Sequence, residues 1–271
     1  MRDSVLDRRT MSNILREHHR AKLRAQPFPE SWLPLLARHF PLYGVLPEED
    51  RAELRGHIQV FLDEKSFEGC GGLEITDEIR LAVAAQACLL LLHRDTDYYP
   101  RLRSILVYPQ HFLATGVRRG EDGLVHQRGS TLLGESWRTG SVILSWESVR
   151  HGGENSQDGE NVVFHEFAHQ LDIEDGSVDG SPALGDGLRF TERRSKYVSW
   201  ARVMRVEYEL LQFFRSHHRK SLLSHYGATN PAEFFAVATE TFFEKPKQML
   251  KQHPELYAEL QDYFEQHPAS W

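Results

Sequence analysis

The segment His165-Glu166-Phe167-Ala168-His169 contains the residue types that bind and use a metal ion. On a helix, residues i and i+4 lie one turn apart on the same face, so both imidazoles can direct a ring nitrogen at one cation. Glu166 lies beside that face, where its carboxylate can reach a water on the ion without binding the ion itself. This His-Glu-x-x-His spacing is typical of zinc metallopeptidases. The alternative is two histidines on an ordinary amphipathic helix, but the apolar residues around the motif favour a buried catalytic helix.

A catalytic zinc site needs a third protein ligand, and three acidic residues downstream are candidates. Asp175 occupies the third-ligand position of a longer motif, but a continuing helix would carry it about 15 Å along the axis from His165, which excludes it. Glu233 follows the Asn-Pro pair at 230–231, which predicts a helix N-terminus with Glu233 in its first turn. The same pattern fits a capping box, in which Glu233 only hydrogen-bonds back to the helix N-terminus. Glu240, two turns further along a similar face, is the rival ligand.

Two further residues lie close to these candidates in the sequence. Tyr226 is just upstream of Glu233, on a loop that can fold over the same site, although an ordinary half-buried tyrosine is the alternative. Asp172 follows the motif and can orient a ligand histidine by accepting its other N–H, or it can be an exposed aspartate at a helix end.

Two stretches resemble the Mlc titration factor A family of bacterial zinc-dependent peptidases. They are His-Glu-Phe-Ala-His-Gln-Leu-Asp at 165–172, followed by an Asp-Gly pair at 175–176, and Asn-Pro-Ala-Glu-Phe-Phe-Ala-Val at 230–237, with Tyr226 upstream. The similarity covers most of the chain. The protease domain of anthrax lethal factor is similar more locally, over the motif helix and the stretch 226–235.

This resemblance implies a set of roles. Glu233 would complete a site for one Zn²⁺ per chain with His165 and His169, and Tyr226 would face the active-site water and the substrate carbonyl. With Glu166 as general base, the chain would be a metallopeptidase, either an aminopeptidase or an endopeptidase. Members of the family also bind the glucose-responsive transcriptional repressor Mlc. The chain could therefore regulate glucose uptake as well, or act mainly as a repressor-binding factor with weak or conditional peptidase activity.

Composition excludes several other classes of protein. The net charge of −7 argues against nucleic-acid binding, because no basic excess is available to displace counterions from phosphate. Only Cys70 and Cys88 occur, too few for a disulfide framework. The N-terminus has no apolar stretch of signal-peptide length, and the run at 81–92 is too short to cross a bilayer. We therefore expect a cytoplasmic protein that acts on a peptide or protein, without nucleic-acid or membrane partners.

Hydrophobic periodicity predicts a mostly helical α+β fold, in which a small sheet and the motif helix follow an N-terminal helical region. The family resemblance implies that this sheet and the active-site helix form a zincin-like core. Helices are expected at 31–40, 48–63, 76–92, 195–217, 231–243 and 254–264. Strands are expected at 104–109, 131–137 and 141–146, with a hairpin turn at 138–140.

The segments between these elements predict the domain organisation. Polar, glycine-rich residues at 151–159 predict an exposed, mobile loop, and the long acidic loop at 172–187 could gate the site. The Arg-rich residues 1–26 are expected to be a flexible leader. Residues 27–271 are expected to be a single domain, with an N-terminal helical part at 27–95 and a catalytic part at 96–271.

Overall fold

Helices dominate the fold, as the sequence predicts. The computed structural model describes residues 3–110, 140–184 and 189–271, and these ranges form a mostly helical α+β protein with one small sheet. The α-helices are α1 (Asp3–Arg24), α2 (Leu33–His39), α3 (Glu48–Glu64), α4 (Asp77–Leu89), α5 (Trp146–Glu154), α6 (Val162–Asp172), α7 (Phe190–Ser216), α8 (Pro231–Glu244), α9 (Pro246–Gln252) and α10 (Pro254–Phe264).

Within the described residues, the sheet has three parallel strands in the order β1 (Ser66–Gly69), β2 (Ser104–Tyr108) and β3 (Ser141–Ser145). The predictions at 104–109 and 141–146 are confirmed as β2 and β3. The predicted strand at 131–137 and most of its hairpin turn lie outside the described residues. The sequence does not predict β1, because the strand has only four residues and none of them is buried, so its alternation is too short to distinguish a strand from a loop.

Helix α4 forms the centre of the core. The Thr76 hydroxyl caps it by accepting the Ile79 N–H at 3.3 Å, and every residue from Leu81 to Leu89 is buried. A helix that is apolar on all sides must be covered on all sides. Four helices pack against α4: α2, α3, α5 and α6. Helix α4 therefore supports the motif helix α6.

The N-terminal residues 3–24 form helix α1, and the division of the chain into a flexible leader over 1–26 and a domain over 27–271 stays a prediction. Arg20 of α1 is 1% exposed, and its guanidinium donates to Glu64 at 2.6 and 2.9 Å and to Asp97 at 2.8 Å. It also lies over the Tyr98 ring. A buried charge needs such partners, so these contacts dock α1 onto α3 and the segment after α4.

The prediction of an exposed loop at 151–159 is wrong for its first half, which belongs to α5. Gly152 and Gly153 are buried there. A Cβ atom on Gly153 would lie 2.3 Å from the His39 carbonyl oxygen and 2.9 Å from Gln86 Nε2. These glycines therefore allow close helix packing, a use of glycine that looks like a loop signal in the sequence.

Buried apolar side chains from Leu36 to Phe264 form one cluster within the described residues. The division into parts at 27–95 and 96–271 stays a prediction. None of the helices in the described ranges is long and apolar enough to cross a membrane.

Candidate metal centre

Helix α6 is held firmly at both its start and its buried face. The Asn161 side chain caps it, with Oδ1 accepting the N–H groups of Val163 and Phe164 at 3.0 Å each. Phe164 packs against Phe243 of α8, with ring centroids 5.3 Å apart, and Phe167 packs against Tyr99 at 4.8 Å. These contacts fix the rotation of the helix, so the face that carries the two histidines is directed at α8.

The structure brings His165, His169 and Glu233 together. His165 Nε2 lies 3.3 Å from His169 Nε2 and 2.9 Å from Glu233 Oε2, and His169 Nε2 lies 3.4 Å from the same oxygen. Ligands at the usual zinc distances of ~2.0–2.1 Å stand about 3.3 Å apart at the corners of a tetrahedron. The distances between the three atoms are therefore close to those between three ligands of one tetrahedral zinc ion, and the group can hold a metal ion.

Glu233 does not use its carboxylate to cap α8. The cap comes from the Asn230 side chain, whose Oδ1 accepts the Glu233 backbone N–H at 3.0 Å. The capping signal in the sequence is real, but it involves the backbone of Glu233. Its side chain is left to approach the histidines, and it is 11% exposed.

The charges at the group favour a cation. Burial opposes ionisation of Glu233, but hydrogen bonds from His165 and His169 outweigh it and hold the pKa of the carboxyl well below its usual range. Burial likewise opposes a charged His165 ring, but Glu240 and Glu233 outweigh it and raise its pKa well above the usual value. A positive charge between these carboxylates is therefore strongly stabilised.

Glu240 lies on the far side of His165 from the other two residues, which corrects its status as a rival ligand. Its Oε1 is 2.7 Å from His165 Nδ1, whereas Nε2 of the same ring faces Glu233. Its Oε2 accepts the Asn161 backbone N–H at 2.6 Å. Glu240 thus connects the imidazole to the N-terminus of α6. Glu240 lies seven residues after Glu233, so both residues are on one face of α8. The sequence does not show which ring nitrogen of His165 each carboxylate contacts.

Glu166 and Tyr226 lie beside the group. Glu166 is buried, and the Tyr226 ring centroid is 5.8 Å from that of His165. Burial, together with the carboxylates of Glu233 and Glu166, raises the pKa of the Tyr226 phenol far above its usual value. The phenol is therefore a hydrogen-bond donor at neutral pH.

Asp172 and Asp175 do not join the group. Asp172 is fully buried, so an exposed helix-end aspartate is the wrong interpretation, and its Oδ2 accepts the Gly180 N–H at 2.9 Å. Burial raises its pKa to about 6. Asp175 is exposed and accepts the Ser177 N–H, which agrees with its exclusion as a ligand.

Three buried polar residues that the sequence did not single out hold the turn before α6. Asn161 Nδ2 donates to Gln86 Oε1 at 2.9 Å, so the cap of the motif helix is tied to α4. Glu244 Oε2 accepts the Gly159 N–H at 2.9 Å. Burial is the main cause that raises the pKa of Glu244 to about 9. The role of these three residues depends on tertiary contacts, and only the position of Asn161 directly before the apolar motif helix is a signal in the sequence.

Comparison with known proteins agrees with this site. The model of the family described as glucose-regulated metallo-peptidase M90 matches residues 15–265, so the chain belongs to that family. An uncharacterized protein of Synechocystis is 41% identical over 244 residues, 90% of this chain and 86% of the relative. Mlc titration factor A of Cronobacter sakazakii is 30% identical, over 89% of this chain and 87% of the relative. Mlc titration factor A of Serratia proteamaculans is 29% identical, over 88% of each chain. The resemblance to the Mlc titration factor A family is confirmed, and the local similarity to lethal factor stays a prediction.

Proposed function

We propose that this member of the M90 family is a zinc-dependent peptidase with a zincin-like core and one Zn²⁺ per chain, bound by His165, His169 and Glu233. The observation that carries the proposal is the convergence of these three side chains, with potential ligand atoms all within 4.8 Å of one another. Two nitrogens and one carboxylate oxygen are the donor set of a catalytic zinc site that leaves a corner for water, whereas structural sites normally have four protein ligands.

A zinc ion at this position would lower the pKa of a bound water toward neutrality and polarise the scissile carbonyl. Glu166, one residue after His165, takes the proton of the attacking water as general base and passes it to the leaving amine. The Tyr226 phenol keeps its proton and donates a hydrogen bond to the substrate carbonyl oxygen as negative charge develops there.

Glu240 acts as a positioning residue in this proposal. A carboxylate that accepts from the second ring nitrogen fixes the rotation of a ligand imidazole and raises its basicity. The 2.7 Å contact with His165 Nδ1 fits that role, and the bond from Asn161 N–H holds the carboxylate in place. An orienting role for Asp172 toward a ligand histidine stays a prediction, because the hydrogen bond of its Oδ2 goes to the Gly180 N–H.

A second role is regulatory binding. Several relatives bear the name Mlc titration factor A, so we propose that this chain also binds a transcriptional repressor of the Mlc type and thereby affects glucose uptake. In the alternative, this binding is the main function and peptidase activity is weak or conditional. A cytoplasmic location fits both roles, and Cys70 and Cys88 form no disulfide.

Substitution of Glu166 by Gln tests the peptidase proposal. Wild-type protein loaded with zinc should cleave aminopeptidase or endopeptidase substrates, and a chelator should stop the cleavage. Glu166→Gln should bind zinc normally but lose turnover. The control is Glu209→Gln on the exposed part of α7, which should keep full activity. Unchanged turnover in Glu166→Gln would remove the general base.

The same variant separates the two roles. If Glu166→Gln captures an Mlc-type repressor as well as wild type does, then binding does not need catalysis. A wild-type protein that captures the repressor but cleaves no peptide with zinc bound would favour the regulatory alternative.

A further inference from the structure

The outer face of helix α7 exposes apolar side chains along its length. Four of them are between 37% and 63% exposed: Val198, Val206, Leu210 and Phe213. The last three are spaced by four and three residues, so they lie on one side of the helix and form a stripe. The opposite side of the helix is buried through Trp200 and Leu211. A single exposed apolar residue is ordinary, whereas a contiguous apolar stripe marks an interaction surface.

Helix α7 and the residues that flank it are also strongly basic. Residues 189–220 contain nine arginines and lysines and three glutamates, a net charge of +6 in a chain whose net charge is −7. Two of the nine cations pair with α10, Lys196 with Asp262 at 2.7 Å and Arg202 with Glu255 at 2.9 Å. The other seven are exposed and form no ion pair within the described residues: Arg189, Arg193, Arg194, Arg205, Arg215, Arg219 and Lys220.

Positive charge directly borders the apolar stripe at its C-terminal end. The Arg219 guanidinium lies 5.8 Å from the centre of the Phe213 ring, and the His217 ring centroid is 4.0 Å from that of Phe213. The other cations are distributed along the whole helix, whose 27 residues span about 40 Å. A small anion would need donors that converge on one point. Cations spread over this length instead fit an extended anionic surface.

We infer that the outer face of α7 binds the surface of an anionic lipid membrane. Such a bilayer offers headgroup phosphates to the arginines and an acyl boundary to the apolar stripe, and a basic amphipathic helix binds it through both. Nucleic acid would neutralise the arginines but leave the stripe in water. The net charge of the whole chain hides this concentration of positive charge, and contact at a surface needs no membrane-spanning helix.

The inner side of α7 contacts the turn that carries Tyr226. Tyr208 donates to the Ala228 carbonyl oxygen at 3.5 Å, and a Cβ atom on Gly227 would lie 3.2 Å from the Leu211 side chain. The outer face points away from this turn. The inference therefore adds a location to the proposed function without depending on it, because no residue of the outer face belongs to the metal group.

Flotation of the full chain with lipid vesicles tests the inference. The protein should float with vesicles of equimolar phosphatidylglycerol and phosphatidylcholine, and it should stay unbound with phosphatidylcholine alone. Binding should weaken as the salt concentration is raised, because salt screens the exposed arginines. EDTA should leave the binding unchanged, since the surface does not include the metal ligands.

Two variants address the two parts of the surface. Arg205→Gln combined with Arg215→Gln should lower the vesicle partition coefficient by about 25-fold, at about fivefold for each charge. Phe213→Ser should lower it by about tenfold, because an aromatic ring no longer enters the acyl boundary. The matched controls are Arg38→Gln and Val45→Ser, at exposed positions outside α7, and each should stay within twofold of wild type.

Thermal unfolding checks that each variant is folded, and if Phe213→Ser is not, the double arginine variant decides alone. The inference is wrong if wild type does not bind the anionic vesicles, or if either folded variant binds them as well as wild type does. If wild type binds no vesicles but the arginine variant loses capture of an Mlc-type repressor, the outer face docks a protein and the inference is also wrong. None of these results would bear on the peptidase proposal, which depends on zinc and turnover.

Discussion

Glu244, one turn after Glu240 on α8, should destabilise the protein at neutral pH. Its Oε2 accepts the Gly159 N–H, but its Oε1 is buried without a hydrogen-bond partner. Burial, with Glu240 and Asp158 nearby, raises its pKa from 4.5 to about 9. The side chain is therefore protonated in the folded protein at neutral pH. A glutamine has the same shape as the protonated acid and never has to take up a proton.

The size of the effect follows from the two pKa values. A raised pKa in the folded state means that the favourable contribution of the protonated acid is complete below pH 4.5 and is lost as the pH rises toward 9. Between pH 4.5 and about 9, each pH unit lowers the free energy of unfolding by about 1.4 kcal/mol. At pH 7.5 the three units correspond to about 4 kcal/mol, and at pH 5 the cost is below about 1 kcal/mol.

Urea unfolding of wild type and Glu244→Gln at pH 5 and pH 7.5 measures this difference. The variant should be more stable by up to about 4 kcal/mol at pH 7.5 and nearly equal at pH 5. Glu255→Gln, at an exposed position on α10, should show the same small difference at both pH values. If Glu244→Gln is less stable than wild type at pH 7.5, Glu244 is ionised in the fold and the reasoning from burial is refuted.

Three further predictions concern the metal group. Glu233→Gln should lower the zinc content measured by mass spectrometry, while the Asn230 cap keeps α8 intact; full zinc content with a lower melting temperature would contradict ligation. Glu240→Gln should weaken zinc affinity by about tenfold in a chelator competition, because the contact with His165 loses its charge; an unchanged affinity would remove its positioning role. Tyr226→Phe should lower kcat by about 100-fold with zinc retained, and an unchanged kcat would exclude it from catalysis.

The sequence reveals most about the parts of the site that are local. His165, Glu166 and His169 lie on one helix, so helical periodicity alone predicts that the imidazoles share a face. Glu233 lies 68 residues after His165, and no local pattern states that α8 crosses α6 there. The local pattern around Glu233 fits both a metal ligand and a helix cap, and the family resemblance favours the ligand.

Other features were hidden because they depend on what packs nearby. Gly153 looks like part of a loop until His39 and Gln86 are seen against it. Arg20 looks like part of a charged leader, yet Glu64 and Asp97 come from later in the chain to pair with it. In each case the residue type was compatible with two environments, and tertiary contacts decided between them.

X-ray absorption at the zinc edge of the reconstituted protein tests the metal site most directly. The proposal predicts one zinc per chain with four nitrogen or oxygen neighbours at about 2.0–2.1 Å, two of them imidazoles, and the loss of one protein ligand in Glu233→Gln. A sulfur neighbour at about 2.3 Å, a third imidazole, or a spectrum that is the same in wild type and Glu233→Gln would contradict it.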